Sequence, residues 1–312
     1  MAAGASCRVE TIPPFTELGE GPHWDVARQS LYYVSLTNGL IYRLDYHQGK
    51  VYSASIDGIR WASFIVPVKG SRDRFVIGDG NRLLEIRWDG LASVAKIVRE
   101  LANTGPEDVH NRFNDGKADP QGRLFFGTML REEVGSPFER ATGSLWRFCT
   151  RTGRLIEQDS GFFISNGLAW SANGDKCYFV DSGANHIKQY DVSQEGDLRN
   201  GHVWFDFKRD GKDPGYFGDG MTIDTEGNLY VACFNGFKVV KISPNKEILA
   251  EIKIPAQQVT SAAFGGPNLD ELFVTTAAKV ITTPQKDPAG ATFKVTGLGA
   301  KGLPMAEVVL DL

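Results

Sequence analysis

The chain has 312 residues, 34 basic and 38 acidic side chains and a formal net charge of −4, with no long run of one sign, which excludes a basic stripe for nucleic acid. No stretch approaches the roughly 20 apolar residues that cross a bilayer, and the amino terminus MAAGASCRVE lacks the basic-then-apolar pattern of a secretory leader. Cys7, Cys149, Cys177 and Cys233 lie far apart with no CxxC spacing, so the expected setting is the reducing cytoplasm, without disulfides.

The 35 glycines, 14 prolines and 19 phenylalanines favour short strands joined by tight turns. In chain order, a β-prone segment VETIPPF starts at Val9. A pattern then appears: two β-prone runs joined by a polar turn, the second run rich in aromatic residues. It reads WDVARQSLYYVSL from Trp24 and, more weakly, PVKGSRDRFVIGDG from Pro67. Leu91 to Asn103 is the best helical stretch, but it is short and reads equally as a strand with a loop. The pattern returns as ADPQGRLFFGTML from Ala118, WSANGDKCYFVDS from Trp170, IDTEGNLYVACFN from Ile223 and GGPNLDELFVTTA from Gly265. A last β-prone run, ATFKVTGLG, starts at Ala291.

The copies begin roughly 40–55 residues apart, the period of a four-stranded propeller blade. They leave no segment for a second domain. The expectation is an all-β fold, a six-bladed β-propeller with four-stranded blades occupying residues 1–312 as one domain. A pair of β-sandwiches or a β-helix is the competing architecture. The segments from Val9 and Ala291 are expected to pair in one blade, closing the ring and removing a sheet edge.

Aligning the copies by their turns at Asp25, Val68, Asp119, Ser171, Asp224 and Gly266 superimposes six polar residues five positions earlier. These are Glu20, Ser63, Asn114, Asn166, Asp219 and Ser261. An innermost strand lines the axial channel, so these side chains are expected to converge at one level. Glu20, Asn114, Asn166 and Asp219 carry the oxygens that hard divalent cations prefer, and a cation would relieve the repulsion between crowded carboxylates. Such residues also hold channel water, and pairs such as Asn166-Gly167 and Asp219-Gly220 also form plain turns. Spacing leaves these readings open. Arg112, two residues before Asn114, should share its face and grip a substrate.

No HExxH or G-x-S-x-G occurs, nor a P-loop or strand-embedded GxGxxG, and the five histidines are scattered. His23 stands near Glu20 as a possible proton shuttle, although packing beside Trp24 is the simpler role.

The segments GEGPHWD, NRFNDGKADPQGRLFFGTM, SNGLAWS, DGMTID, EGNLYVACFNG and VTSAAFGGPNLDELFVTTA resemble the family of regucalcin (senescence marker protein), gluconolactonases and the firefly luciferin-regenerating enzyme. WASFIVPV and FGGPNLDELFVTTAAK resemble its insect members. The resemblance covers nearly the whole chain. It implies a six-bladed propeller with one divalent ion on Glu20, Asn166 and Asp219, and substrate contacts from Arg112, Asn114 and an acidic residue after GTM. That last is Glu132, with Glu133 as its neighbour in TMLREE. The stretch from Lys208 to Gly218 is longer than in vertebrate members, and Gly218 stands where Pro is common.

The expected activity is metal-dependent hydrolysis of a small cyclic ester, a sugar lactone above all, with Asp219 both ligand and proton acceptor. Ca²⁺ is the expected ion, while Mg²⁺, Mn²⁺ and Zn²⁺ also accept such oxygens. A small molecule is the expected partner, with no nucleic acid and no membrane; the oligomeric state is open. The competing functions are a calcium-binding regulator, an organophosphate hydrolase, a luciferin-regenerating relative and a protein-binding scaffold of the WD-repeat type.

Overall fold

A computed structural model describes residues 7–208, 211–280 and 283–311, and the chain is all-β with its sheets in a propeller-like arrangement. Three four-stranded antiparallel sheets follow one another in sequence. The first runs Asn111–Ala118, Leu124–Leu130, Gly143–Cys149 and Arg154–Phe162. The second runs Ser165–Trp170, Lys176–Asp181, His186–Val192 and Leu198–Asp206. The third runs Phe217–Ile223, Leu229–Phe234, Lys238–Ile242 and Ile248–Lys253.

The segment before them departs from the expectation of separate four-stranded sheets. Gly19–Asp25, Ser30–Ser35, Leu40–Asp45 and Lys50–Ile56 form one antiparallel run, and Ile65–Pro67, Arg74–Asp79, Arg82–Arg87 and Val94–Asn103 form another. The two fuse into an eight-stranded sheet because Ser55 and Ile56 pair in parallel with Val94 and Ala95. Val94–Asn103 is thereby a strand, and the weak helical signal there is not realised. Among the described residues the helical elements are two short 3₁₀ turns, Leu36–Asn38 and Pro106–Asp108. No described helix is long and apolar enough to cross a membrane.

Strands from early and late in the sequence meet in a further four-stranded sheet, beside a two-stranded one of Lys279–Val280 and Thr283–Pro284. Arg8–Ile12 pairs with Thr292–Thr296, which pairs with Glu271–Thr276 and through it with Val259–Gly265. The first strand of each unit lies innermost, and these strands neighbour one another around a closed circuit. Six apolar clusters fill the spaces between adjacent units. One is Trp24, Leu31, Tyr33 and Phe273, in which Trp24 stacks on Phe273 with centroids 5.3 Å apart. Burying one such aromatic or aliphatic side chain contributes about 1.5–3 kcal/mol, so the circuit is held mainly by these seams.

The acidic residues of the repeat are turn caps. Asp119 Oδ1 accepts N–H bonds from Gln121 at 3.0 Å and Arg123 at 2.9 Å, and Asp224 Oδ1 does the same for Glu226 and Asn228. These turns ring one face of the molecule. The segment from Lys301 to Val309 crosses that face, tied by Thr225 N–H to Lys301 O at 2.8 Å, Trp24 N–H to Met305 Sδ at 3.3 Å and Val309 N–H to Gly122 O at 2.9 Å.

Candidate active site

Five of the six aligned polar residues lie on innermost strands, and Ser63 just precedes one. Five of these strands carry a register shift at or beside the polar residue: between Glu20 and His23, Phe113 and Gly116, Ser165 and Leu168, Gly218 and Met221, and Val259 and Ser261. A bulge of this kind re-aims a side chain. The Asn-Gly and Asp-Gly pairs are therefore not hairpin turns. Their glycines permit close strand packing: a Cβ on Gly167 would sit 2.6 Å from Asp219 O, and one on Gly220 would sit 2.0 Å from Ser261 Oγ.

Glu20, Arg112, Asn114, Glu132, Asn166 and Asp219 line one cavity of about 120 Å³, small for a ligand site and suited to a single ring. The two serines do not join them. Ser63 Oγ donates to Phe113 O at 2.9 Å, and Ser261 packs against Gly220. Glu132 is drawn in by Arg112, whose Nη2 and Nε donate to its carboxylate at 2.5 and 3.1 Å. Glu133 turns outward to Arg60, 2.6 Å away on the surface. Of the two glutamates, Glu132 is the one that lines the cavity.

Arg112 is almost fully committed. Its Nη1 also donates to Asn114 Oδ1 at 2.8 Å and to Phe113 O at 3.1 Å, so four of the five guanidinium N–H groups are engaged. Asn114 in turn donates to Ser165 O at 2.9 Å. Burial works against ionisation of Glu132, but the Arg112 charge outweighs it and holds the carboxyl below its usual range.

The floor is electrostatically different. Glu20 and Asp219 are buried, and burial pushes both carboxyl pKa values well above the usual range. Repulsion adds to this, from Asp219 and Asp115 on Glu20 and from Asp115 on Asp219. Asn166 Oδ1 and Asp219 Oδ1 are buried with no hydrogen-bond partner. The Asn166 amide is oriented by Ser182, whose Oγ accepts from Nδ2 at 3.0 Å and donates to Gly218 O at 2.6 Å. Unpartnered hard oxygens beside mutually repelling carboxylates are the donor chemistry a divalent cation satisfies. Among the described residues no trio of His, Cys, Asp and Glu is gathered as a metal site, and this donor set differs in containing an amide.

The sequence pattern did not mark Asp115 or Ser182. Alternation puts Asp115 on the face opposite Asn114, and only the bulge between Phe113 and Gly116 brings its charge to bear on Glu20 and Asp219. His23 is buried with neither ring nitrogen partnered, and burial lowers its pKa to about 3. It faces a separate cavity under the 304–309 segment, away from the six residues, as a packed side chain. Gly218 has a local reason to be glycine: a Cβ there would meet the Phe207 ring at 2.5 Å. Of the long stretch before it, Arg209 and Asp210 lie outside the described residues, and Phe217 lines the cavity.

Residues 18–278 match the family model described as the SMP-30/Gluconolactonase/LRE-like region. The chain belongs to this family. Regucalcin of Gallus gallus is 34% identical over 292 residues, covering 92% of this chain and 93% of its own length. A solved luciferin-regenerating enzyme is 38% identical with a TM-score of 0.90, covering 98% of this chain and all of that one. A calcium-binding regucalcin from Agrobacterium tumefaciens, 23% identical with a TM-score of 0.80 over 96% of this chain and 95% of its own, shares the fold. The SMP-30/gluconolactonase match spans Glu20, Arg112, Asn114, Glu132, Asn166 and Asp219.

Proposed function

We propose that the protein is a single-domain, six-bladed propeller, the eight-stranded sheet counting as two blades, that hydrolyses a small cyclic ester with one divalent cation. The cytoplasm is its proposed place of work and a small molecule its partner. Glu20, Asn166 and Asp219 would hold the ion, Ca²⁺ being the first candidate and Mg²⁺, Mn²⁺ and Zn²⁺ the others. The observation that carries this reading is the pair of unpartnered buried oxygens, Asn166 Oδ1 and Asp219 Oδ1, in one cavity with Glu20. Membership of a family that includes gluconolactonases supports it.

A cation bound there would supply Lewis-acid polarisation of an ester carbonyl and would acidify a water molecule. Asp219 would accept the proton from the attacking water, while Asn166, a neutral amide, could only help hold the ion. Asn166, fixed by Ser182, keeps its oxygen turned to the floor. Arg112 is held rigid by Glu132 and Asn114 and keeps one N–H for the oxygen that gains charge in the transition state.

The test is hydrolysis of glucono-δ-lactone followed by pH-stat, with and without chelator. Chelation and Asp219→Asn should each reduce the rate at least 100-fold, and Asn166→Ala should abolish the gain in Tm on adding metal. A rate that survives both chelation and Asp219→Asn sinks the proposal.

A further inference from the structure

Another pocket, of about 390 Å³, opens on the surface and shares no lining residue with the cavity. Arg60, Trp61, Asp79, Asn81, Arg82 and Arg131 line it. The Arg60 and Arg131 guanidinium carbons lie 4.2 and 5.1 Å from the centre of the Trp61 ring, so two cations rest on one buried indole. Gly80 makes room for them: a Cβ there would stand 3.3 Å from Trp61 Cζ3 and 3.4 Å from Arg131 Nη2. Like charges gathered on one ring repel each other unless an anion lies between them.

The carboxylates at this pocket do not use up its charge. Asp79 is buried with both oxygens engaged: Oδ1 accepts the backbone N–H groups of Arg60 and Trp61, each at 3.0 Å, and Oδ2 accepts from Arg82 Nη2. Asp79 thus offsets Arg82 alone. Glu133 reaches Arg60 at 2.6 Å, but the two side chains are 45% and 63% exposed, where such a pair contributes little and yields to a stronger anion. Arg131 gives Nε to Asn111 O at 3.0 Å and, among the described residues, has no carboxylate partner and no acceptor for its Nη hydrogens. With Glu133 displaced, two guanidinium charges stay uncompensated on a chain whose net charge is −4.

Guanidinium groups held against an aromatic ring present their N–H forks with little loss of side-chain freedom, and such forks pair with two oxygens of one oxyanion. A carboxylate brings a single charge. A phosphate group brings up to two charges and several acceptor oxygens, which matches two guanidiniums. We infer that this pocket binds a phosphate group, inorganic or on a small monoester, between the Arg60 and Arg131 guanidiniums, with Glu133 displaced from Arg60. Arg82, whose Nη2 is spent on Asp79 and on Gly58 O at 3.1 Å, adds its field without a contact. Binding here needs no cation at the cavity floor.

The experiment is thermal unfolding and calorimetric titration with inorganic phosphate, with and without chelator, against sodium chloride at equal ionic strength. Phosphate should raise Tm beyond chloride in both conditions. Arg131→Gln should weaken phosphate binding at least tenfold, as loss of a charge-assisted contact does, and so should Arg60→Gln at its exposed position. Glu133→Gln, which releases Arg60, should tighten binding about two- to fivefold. Glucose 6-phosphate, with glucose as its neutral control, separates the two sources. Tighter binding of the monoester than of phosphate marks a phosphorylated small molecule as the ligand, and equal or weaker binding marks the free anion. A phosphate response no larger than that of chloride, one lost with chelator, or one unaltered in both Arg60→Gln and Arg131→Gln overturns the assignment.

Discussion

Ser182 fixes which end of the Asn166 amide meets the cavity. Its hydroxyl takes the Nδ2 hydrogen at 3.0 Å and passes its own to Gly218 O at 2.6 Å, so the amide oxygen is the end left unpartnered. A group behind a ligand that sets its orientation commonly matters 10–100-fold for metal affinity. Ser182→Ala should weaken cation affinity on the order of tenfold. The concentration of Ca²⁺ needed for half the maximal Tm gain reads this; an unchanged midpoint would show that Asn166 orients without Ser182.

Glu132 and Arg112 form a two-point ion pair whose arginine is buried and whose glutamate is partly open to solvent. Glu132→Gln should cost about 1 kcal/mol, discounted because the glutamate is screened by water. A carboxyl held below its usual range contributes stability that is present above its unfolded pKa and lost as pH falls through the folded one. Denaturant midpoints in the acid range should therefore fall more steeply for the wild type than for Glu132→Gln.

His23 works in the opposite direction. Burial, opposed by Asp25 and aided by Lys117 and Arg28, lowers its pKa from 6.5 to about 3. The unfolded chain takes up a proton near pH 6.5 while the folded chain does not, so stability drops as pH falls below 6.5 and goes on dropping to about 3. Between pH 6.5 and 5 the loss is about 2 kcal/mol, at about 1.4 kcal/mol per pH unit. Denaturant titration of His23→Leu should lack this slope. An equal slope in both proteins would place the acid sensitivity elsewhere.

Gly167 lies where two innermost strands nearly touch. A methyl group there would stand 2.6 Å from Asp219 O and 2.7 Å from Met221 N, both backbone atoms that cannot swing aside. Gly167→Ala should destabilise by about 2 kcal/mol and displace Asp219. Both the urea midpoint and the metal-induced Tm gain should fall; a folded variant with normal metal response would refute the packing argument.

Removal of residues 1–12 takes away Arg8–Ile12, the strand that pairs with Thr292–Thr296. Cooperative loss of the whole structure is expected, visible as one lowered thermal transition. A wild-type transition with local fraying would show that the closing sheet tolerates an open edge.

The repeat was legible because polar turns recur between β-prone runs. Asp119 and Asp224 cap their hairpins identically, and those two copies share an acidic residue with a glycine three residues on, while Val68, Ser171 and Gly266 hold the same place in weaker copies. The four oxygen-bearing cavity residues were legible because they share one position in each copy. Ser63 and Ser261 share it too, and nothing in spacing reveals that one bonds to Phe113 O and the other fills the space beside Gly220. The fusion of two units rests on two residue pairs, Ser55 with Val94 and Ile56 with Ala95, too short a contact to leave a sequence pattern. Phe138, which lines the cavity, lies on the loop between Leu124–Leu130 and Gly143–Cys149, where periodicity carries no information about what a side chain faces.

The strand Arg8–Ile12 is synthesised about 280 residues before its partner Thr292–Thr296. At ribosomal rates of about 5–20 residues per second, the early strand waits on the order of 15–60 s for that partner. Until then a growing chain has no complete ring and exposes unpaired backbone at both ends of an unfinished arc. The arc must therefore stay apart from its neighbours on the same messenger until Thr292–Thr296 emerges, and slower elongation lengthens that interval.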